Sequence, residues 1–248
     1  MIEIHCHILP ETDDGAADLE ESLTMLRRMK KDGVTHVVAT PHCTRTAPLF
    51  RGDITARVEK LRHEMQRAGL ESIAIFPGSE ISFFDAAQYR DNYQSGQFCH
   101  LGGNNEYSLL EFPWTRADIP AQPLAHIEWM LAQGTTPILA HPERTPFLRE
   151  NPLLLKQMHD TGAWIQITVD SVSGRFDSSL ASLCALLIDK FERVVIATDS
   201  HNLRRCSSLS EGYKTVAQKF GQDRAHDLWQ RADLVRASVE RAAEESQK

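Results

Sequence analysis

Residues 1–33 read MIEIHCHILPETDDGAADLEESLTMLRRMKKDG and contain one complete strand–loop–helix unit. The short β-branched run at 2–6 predicts a strand. Residues 18–31 place Leu19, Leu23, Leu26 and Met29 on one helical face and stop before Gly33, a glycine C-cap. The same alternation recurs along the chain. Strands are predicted at 35–40, 72–76, 107–112, 136–140, 163–168 and 193–198, and helices at 54–68, 123–133, 151–161, 179–191, 209–220 and 223–244. Repeated strand–helix units imply a parallel α/β fold. No Pro/Gly/Ser-rich linker divides the 248 residues, so a closed or nearly closed barrel is expected over 1–248 as one domain, with a polar tail at 242–248. No GxGxxG follows the first strand, which disfavours an open doubly wound sheet.

The composition narrows the class. With 42% hydrophobic and 25% charged residues, the chain reads as an ordinary globular protein. A net charge of −7 argues against nucleic acid or an anionic membrane as the main partner. No apolar run is long enough to span a membrane, and MIEIHCHILP lacks the features of a signal peptide. Five cysteines, with no CxxC, suit a reducing compartment, so a cytoplasmic location is expected.

In a parallel β/α barrel, functional side chains sit where the strands end. The first strand ends in His5-Cys6-His7, and residues two apart on a strand share a face, so the two imidazoles form a metal clamp. The second strand is followed by His42, the third by Glu80, and the fourth ends at Glu111. The fifth delivers His141 and Arg144, and the last delivers Asp199 and His201. Each residue alone has an ordinary explanation as a cap or loop residue. Together on one rim they read as a metal site. Asp13 and Asp14 both suit a turn and a helix start, the reading favoured for Asp13, while Asp14 is also within reach of the rim. The histidines at 36, 63, 100, 126, 159 and 226 have no partner at a useful spacing and read as structural.

The stretches IHCHILPETDDGAADLEESL, VVATPHC, PGSEI, LLEF, LAHPER and IATDSHN, spread over residues 1 to about 215, resemble the PHP superfamily of metal-dependent phosphoesterases. Within it the chain is similar to the bacterial capsule-associated, CpsB-type protein tyrosine phosphatases. The resemblance implies a distorted (β/α)7 barrel with two or three divalent metals at the C-terminal rim, manganese first, with iron or zinc equally suited to the ligand types. It assigns His5, His7, Glu80 and Asp199 to one metal, Glu80, Glu111 and His141 to a second, and Asp14, His42 and His201 to a third, the assignment of Asp14 resting mainly on the resemblance. It also implies phosphotyrosine on a protein as substrate, a tyrosine kinase of capsule or exopolysaccharide export. Two positions depart from the family pattern. His42 is followed by Cys43 rather than a second histidine, and Cys206 stands where an arginine is usual, leaving Arg204 or Arg205 to replace it.

Arg144 is expected to grip phosphate by two hydrogen bonds, against a plain salt bridge to Glu143 or a neighbour. Asp199 and His201 are candidates for proton transfer as well as ligation. Arg45, Arg204 and Arg205 are further candidate substrate contacts. The rim loops 43–52, 83–105 and 112–120 carry Phe50, Arg51, Phe84, Tyr89, Tyr93, Trp114 and Arg116, side chains suited to a phosphotyrosine peptide. No arginine follows any cysteine by six residues, so a cysteine phosphatase loop is absent, and Cys6 is expected to pack in the barrel. The competing functions are a small-molecule phosphomonoesterase of the histidinol-phosphate type, a scaffold that keeps its metals for stability, and an amidohydrolase. The last commonly needs a bridging lysine, and none ends strands three to five. Glu20, Glu21, Arg27 and Arg28 on the first helix suit either a homo-oligomer interface or a solvated face, the latter being simpler.

Overall fold

The computed structural model describes residues 1–115, 119–175 and 177–246. Seven strand positions run parallel, in the order the sequence predicts. β1 (Ile2–Cys6) pairs with β2 (His36–Ala39), which pairs with β4 (Ala74–Pro77). The second sheet runs β3 (His42–Cys43), β5 (Glu80–Ser82), β6 (Tyr107–Glu111), β7 (Thr136–Ala140), β8 (Trp164–Thr168) and β9 (Val194–Ala197).

Two strands cross from one sheet to the other. β2 and β3 are halves of one strand broken at Thr40-Pro41, and β4 and β5 are halves of another broken at Gly78-Ser79. Gly78 is required at its break, because a Cβ there would lie 2.6 Å from Val38 Cγ1. At the other seam, Cys6 bridges to Ser200, and Asp199 N donates to His5 O at 3.0 Å. The result is the distorted (β/α)7 barrel expected from the sequence. The short β3 and β5 are too brief to show a periodicity, yet they set His42 directly opposite Glu80.

Helices α1 (Leu19–Lys31), α2 (Arg51–Arg67), α4 (Pro123–Ala132), α6 (Pro152–Thr161), α8 (Ser178–Lys190) and α9 (Leu209–Phe220) fall where the apolar spacing predicts them. Their buried faces and the outward strand residues form the larger core. A helix at Ala86–Gln94, α3, interrupts what the sequence presents as a long loop. It starts on the Asp85 cap, which accepts from Gln88 N at 2.7 Å, but it buries only Tyr89, so no apolar stripe announces it. Two five-residue helices, α5 (Pro146–Glu150) and α7 (Val169–Ser173), are too short for the same reason.

The barrel's lumen is a second core. Ile2, Ile4, Val38, Tyr107, Leu109, Ile138, Trp164 and Val195 pack there against Ala232, Val235 and Val239 of α10 (Gln222–Glu245). α10 therefore closes the N-terminal end of the barrel, tied on by Asn104 Nδ2 to Ser238 O at 3.1 Å and His36 Nε2 to Glu240 Oε1 at 2.8 Å. It buries Ala242 and continues to Glu245, into the segment expected as a polar tail. With that end plugged, the open end is the C-terminal rim. Among the described residues, no helix is long and apolar enough to cross a membrane.

Candidate metal centre

His5 and His7 are fully buried, and their Nε2 atoms stand 3.3 Å apart. Each ring is held from behind. His5 Nδ1 lies 2.9 Å from Gln166 Oε1, and His7 Nδ1 lies 2.7 Å from Asp13 Oδ2. Both partners are oxygen acceptors, so each Nδ1 carries the proton and each Nε2 presents its lone pair. Glu80 Oε2 and Asp199 Oδ1 complete the set, at 3.3 Å from His5 Nε2 and 3.4 Å from His7 Nε2 in both cases. Ligand atoms about 2.0–2.2 Å from one ion stand roughly 3–3.5 Å from each other, so each carboxylate oxygen has the spacing of one coordination shell with the two imidazoles.

Two further groups adjoin this one. Glu80 Oε1 lies 2.8 Å from His141 Nε2, and Glu111 Oε1 lies 4.0 Å from the same nitrogen. Asp14 Oδ1 stands 3.5 Å from both His42 Nε2 and His201 Nε2. His201 Nδ1 lies 2.9 Å from the Asp199 carbonyl oxygen, which fixes its proton there and leaves Nε2 as the lone pair. The His42 ring lies between groups, with Nδ1 3.0 Å from Glu80 Oε2. All nine residues expected at the rim, His5, His7, Asp14, His42, Glu80, Glu111, His141, Asp199 and His201, are therefore brought together.

Two of them hold unusual backbone. His141 has φ +30° and Asp199 φ +52°, the left-handed region that favours glycine. Such strain persists where the surroundings over-determine it. Here the His141 N–H points at Gln166 Oε1 at 3.3 Å and Asp199 is hydrogen-bonded across the barrel seam.

The electrostatics match a cation site. Burial alone would raise the Glu80 and Asp199 carboxyls, but His5 and the surrounding imidazoles hold both well below the usual range. Burial likewise lowers His42, yet the adjacent Glu80 carboxylate pushes it up to about 9. His7 goes the same way, with burial outweighed first by Asp13. His201 falls to about 4, through burial and then its neighbour His7. Glu80 Oε2, Asp199 Oδ1 and His141 Nδ1 are buried without a hydrogen bond among the described residues. Clustered imidazole and carboxylate donors with orphaned oxygens fit divalent metal ions.

A cavity of about 530 Å³ opens above the cluster, lined by Arg45, Phe84, Trp114, Arg144 and Arg205. Arg144 pairs with Asp199 Oδ2 rather than Glu143, and Arg205 Nη2 reaches the same oxygen at 3.2 Å. Glu143 instead accepts from Thr168 N and Oγ1 at 3.0 and 2.9 Å. Arg204 is exposed and not among the cavity's lining residues, whereas Arg205 lines the cavity. Tyr89 is buried with its hydroxyl 3.3 Å from Ser108 Oγ, and Tyr93 is spent on Thr135 at 2.7 Å, so neither faces a substrate. Phe50 and Arg51 begin α2 outside the cavity's lining. Arg116 lies outside the described residues. Burial pushes the Cys6 thiol well above its ordinary value, which removes it as a nucleophile.

The sequence reading missed the groups that orient the ligands. Asp13 looked like a turn residue, and Gln166 was not singled out. Gln166 did carry a signal, since it is the one amide in the buried run WIQIT. Glu3 is similar: its carboxylate, fully buried, accepts from His5 N at 2.9 Å and Thr198 N at 3.0 Å and joins the first strand to the last.

A parallel barrel that gathers this donor set on its C-terminal rim is a PHP-type barrel. The chain belongs to the CpsB/CapC family of capsular polysaccharide synthesis, whose model matches residues 1–233. The tyrosine-protein phosphatase YwqE of Bacillus subtilis is 31% identical over 238 residues, covering 95% of this chain and 91% of that protein. The tyrosine-protein phosphatase CpsB of Streptococcus agalactiae is 28% identical over 249 residues, covering 92% and 95%. A crystal structure from work on YwqE and CpsB of Streptococcus pneumoniae, described as metal-dependent tyrosine phosphatases, superposes with a TM-score of 0.87 at 28% identity, covering 95% and 94%. An archaeal ribonuclease P structure superposes at 0.61 with 14% identity, a likeness of fold alone.

Proposed function

We propose that this chain is a metal-dependent phosphomonoesterase that removes phosphate from tyrosine on a protein, its substrate a tyrosine kinase of capsule or exopolysaccharide export. The observation that carries the proposal is the pair His5 and His7, each Nε2 within 3.4 Å of both Glu80 Oε2 and Asp199 Oδ1, beneath an arginine-lined cavity. His5, His7, Glu80 and Asp199 would hold one ion, Glu80, Glu111 and His141 a second, and Asp14, His42 and His201 a third. Manganese, iron and zinc all suit such ligands. Divalent ions, when bound, would neutralise charge on the phosphoryl group and lower the pKa of water towards neutrality.

The chain's own residues do the rest. Arg144 and Arg205 present guanidiniums at the cluster's edge, where a phosphoryl group competes with Asp199 for them. Arg45 also lines the cavity, its guanidinium carbon 5.7 Å from the Phe84 ring centroid. Asp199 and His201 act as ligands, because Asp199 Oδ1 faces both His5 and His7 and His201 presents only its Nε2. A tyrosine leaving group, with a pKa of about 10, departs without a strong general acid. The five free cysteines fit a cytoplasmic location.

The test compares kcat/KM of the manganese-loaded protein on a phosphotyrosyl peptide and on histidinol phosphate. Preference for the peptide is expected. Preference for histidinol phosphate would make the chain a small-molecule phosphatase.

A further inference from the structure

Trp114 is the one exposed large hydrophobic side chain, among the described residues, that lines the cavity. It is 47% exposed, so it keeps apolar area in water that a ligand would cover. Its position is nevertheless fixed. The indole Nε1 donates to Glu111 Oε1 at 2.8 Å, the ring centroid lies 5.7 Å from that of His141, and the Arg144 guanidinium carbon stands 5.5 Å from it. The indole thus borders two residues of the cluster and one cavity arginine. A phosphotyrosine with its phosphoryl group on the cluster carries its ring one bond beyond the ester oxygen. That ring then lies within the cavity that Trp114 lines beside Glu111 and His141.

We propose that Trp114 is the wall on which the substrate's phenyl ring lies, and that it selects aryl over alkyl phosphates. It is a specificity residue, and the proposal rests on the tyrosine phosphatase reading above. Aryl–indole contact gains from both area burial and ring quadrupoles, whereas an alkyl phosphate has no ring to place there. The hydrogen bond to Glu111 holds the indole in place before substrate arrives, so little ordering cost is left to binding.

The experiment measures direct binding of phenylphosphonate and methylphosphonate to the manganese-loaded protein by calorimetry. Metal content and thermal unfolding are recorded for each variant. The wild type is expected to prefer phenylphosphonate. Trp114→Ala should lose roughly tenfold in phenylphosphonate affinity with methylphosphonate within twofold, and Trp114→Phe should keep most of the preference. Equal loss for both ligands, with Trp114→Phe as impaired as Trp114→Ala, would mean that the indole only supports Glu111, and would overturn the proposal. So would an undiminished preference in Trp114→Ala, or a wild type that binds neither phosphonate or both equally. Hydrolysis of a phosphotyrosyl peptide by the wild type is assayed in parallel. If hydrolysis occurs but the preference ignores Trp114, the wall fails and the phosphatase reading stands. If the preference depends on Trp114 without hydrolysis, the phosphatase reading fails and the aryl subsite stands.

Discussion

Asp13 Oδ2 accepts from His7 Nδ1 at 2.7 Å and also from the His42 backbone N–H at 3.0 Å. One carboxylate thereby sets the tautomer of one candidate ligand and the backbone position of another. The partnership with His7 is strong: burial opposes ionisation, yet His7 brings the Asp13 pKa down to about 2. Oxygen partners behind a ligating imidazole are typically worth about 10–100-fold in metal affinity. Asp13→Ala is expected to weaken manganese binding by that factor, read by competition with a chelator. Unchanged affinity would remove Asp13 from the site.

Gly15 turns the loop that carries Asp13 and Asp14. A Cβ on it would stand 2.2 Å from the His7 carbonyl oxygen and 2.7 Å from His7 Cβ. Both are backbone or near-backbone atoms that cannot swing away. Gly15→Ala should cost about 1–3 kcal/mol in a denaturant titration, with weaker metal retention. Wild-type stability in this variant would show that the loop is less constrained than it stands.

The pH dependence of the metal-stripped protein follows from His42. Its folded pKa of about 9 lies above its ordinary value of 6.5, as the Glu80 carboxylate beside it outweighs burial. Folded protein therefore holds more protons than unfolded between these values, and stability falls as pH rises through them. The His42 contribution is complete below about pH 6.5 and lost towards pH 9. Metal binding must displace the same proton, so manganese affinity should rise over that window. Thermal unfolding of stripped and loaded protein from pH 6 to 9 checks both. A stripped protein that gains stability across the window contradicts the assignment.

Arg205 and Arg204 are adjacent but differently placed, one on Asp199 and one in solvent. A charge-assisted hydrogen bond is worth roughly 1.5–3 kcal/mol. Arg205→Ala should lower kcat/KM on a phosphotyrosyl peptide by about ten- to a hundredfold, and Arg204→Ala by less than about twofold. Equal effects would refute the placement.

Much of this was legible in the sequence because strand ends on a barrel share one rim. His5 and His7 share one such end and Glu80 and Asp199 stand at two others, the three far apart along the chain and adjacent in space. α3 stayed hidden because it buries one residue and so lacks a stripe. Asp13 stayed hidden because an Asp-Asp-Gly turn looks the same whether its first carboxylate faces water or His7. The left-handed backbone at His141 and Asp199 had no signal at all, since neither is a glycine and tertiary hydrogen bonds impose the strain. Nothing in the sequence separates Arg205 from Arg204; the loop after β9 does, by turning Arg205 towards Asp199. There Arg28 holds the Leu203 carbonyl at 2.8 Å and Glu21 accepts from its N–H at 3.0 Å.

The central claim is that the rim cluster holds metal ions and that these make the protein a phosphotyrosine phosphatase. It is tested by stripping the protein with a chelator, reloading it with manganese, and following phosphate release from a phosphotyrosyl peptide against metal content. The account predicts no turnover when stripped, and turnover that returns as two or three equivalents bind. Full turnover by stripped protein, or none by protein carrying its full metal complement, would contradict it.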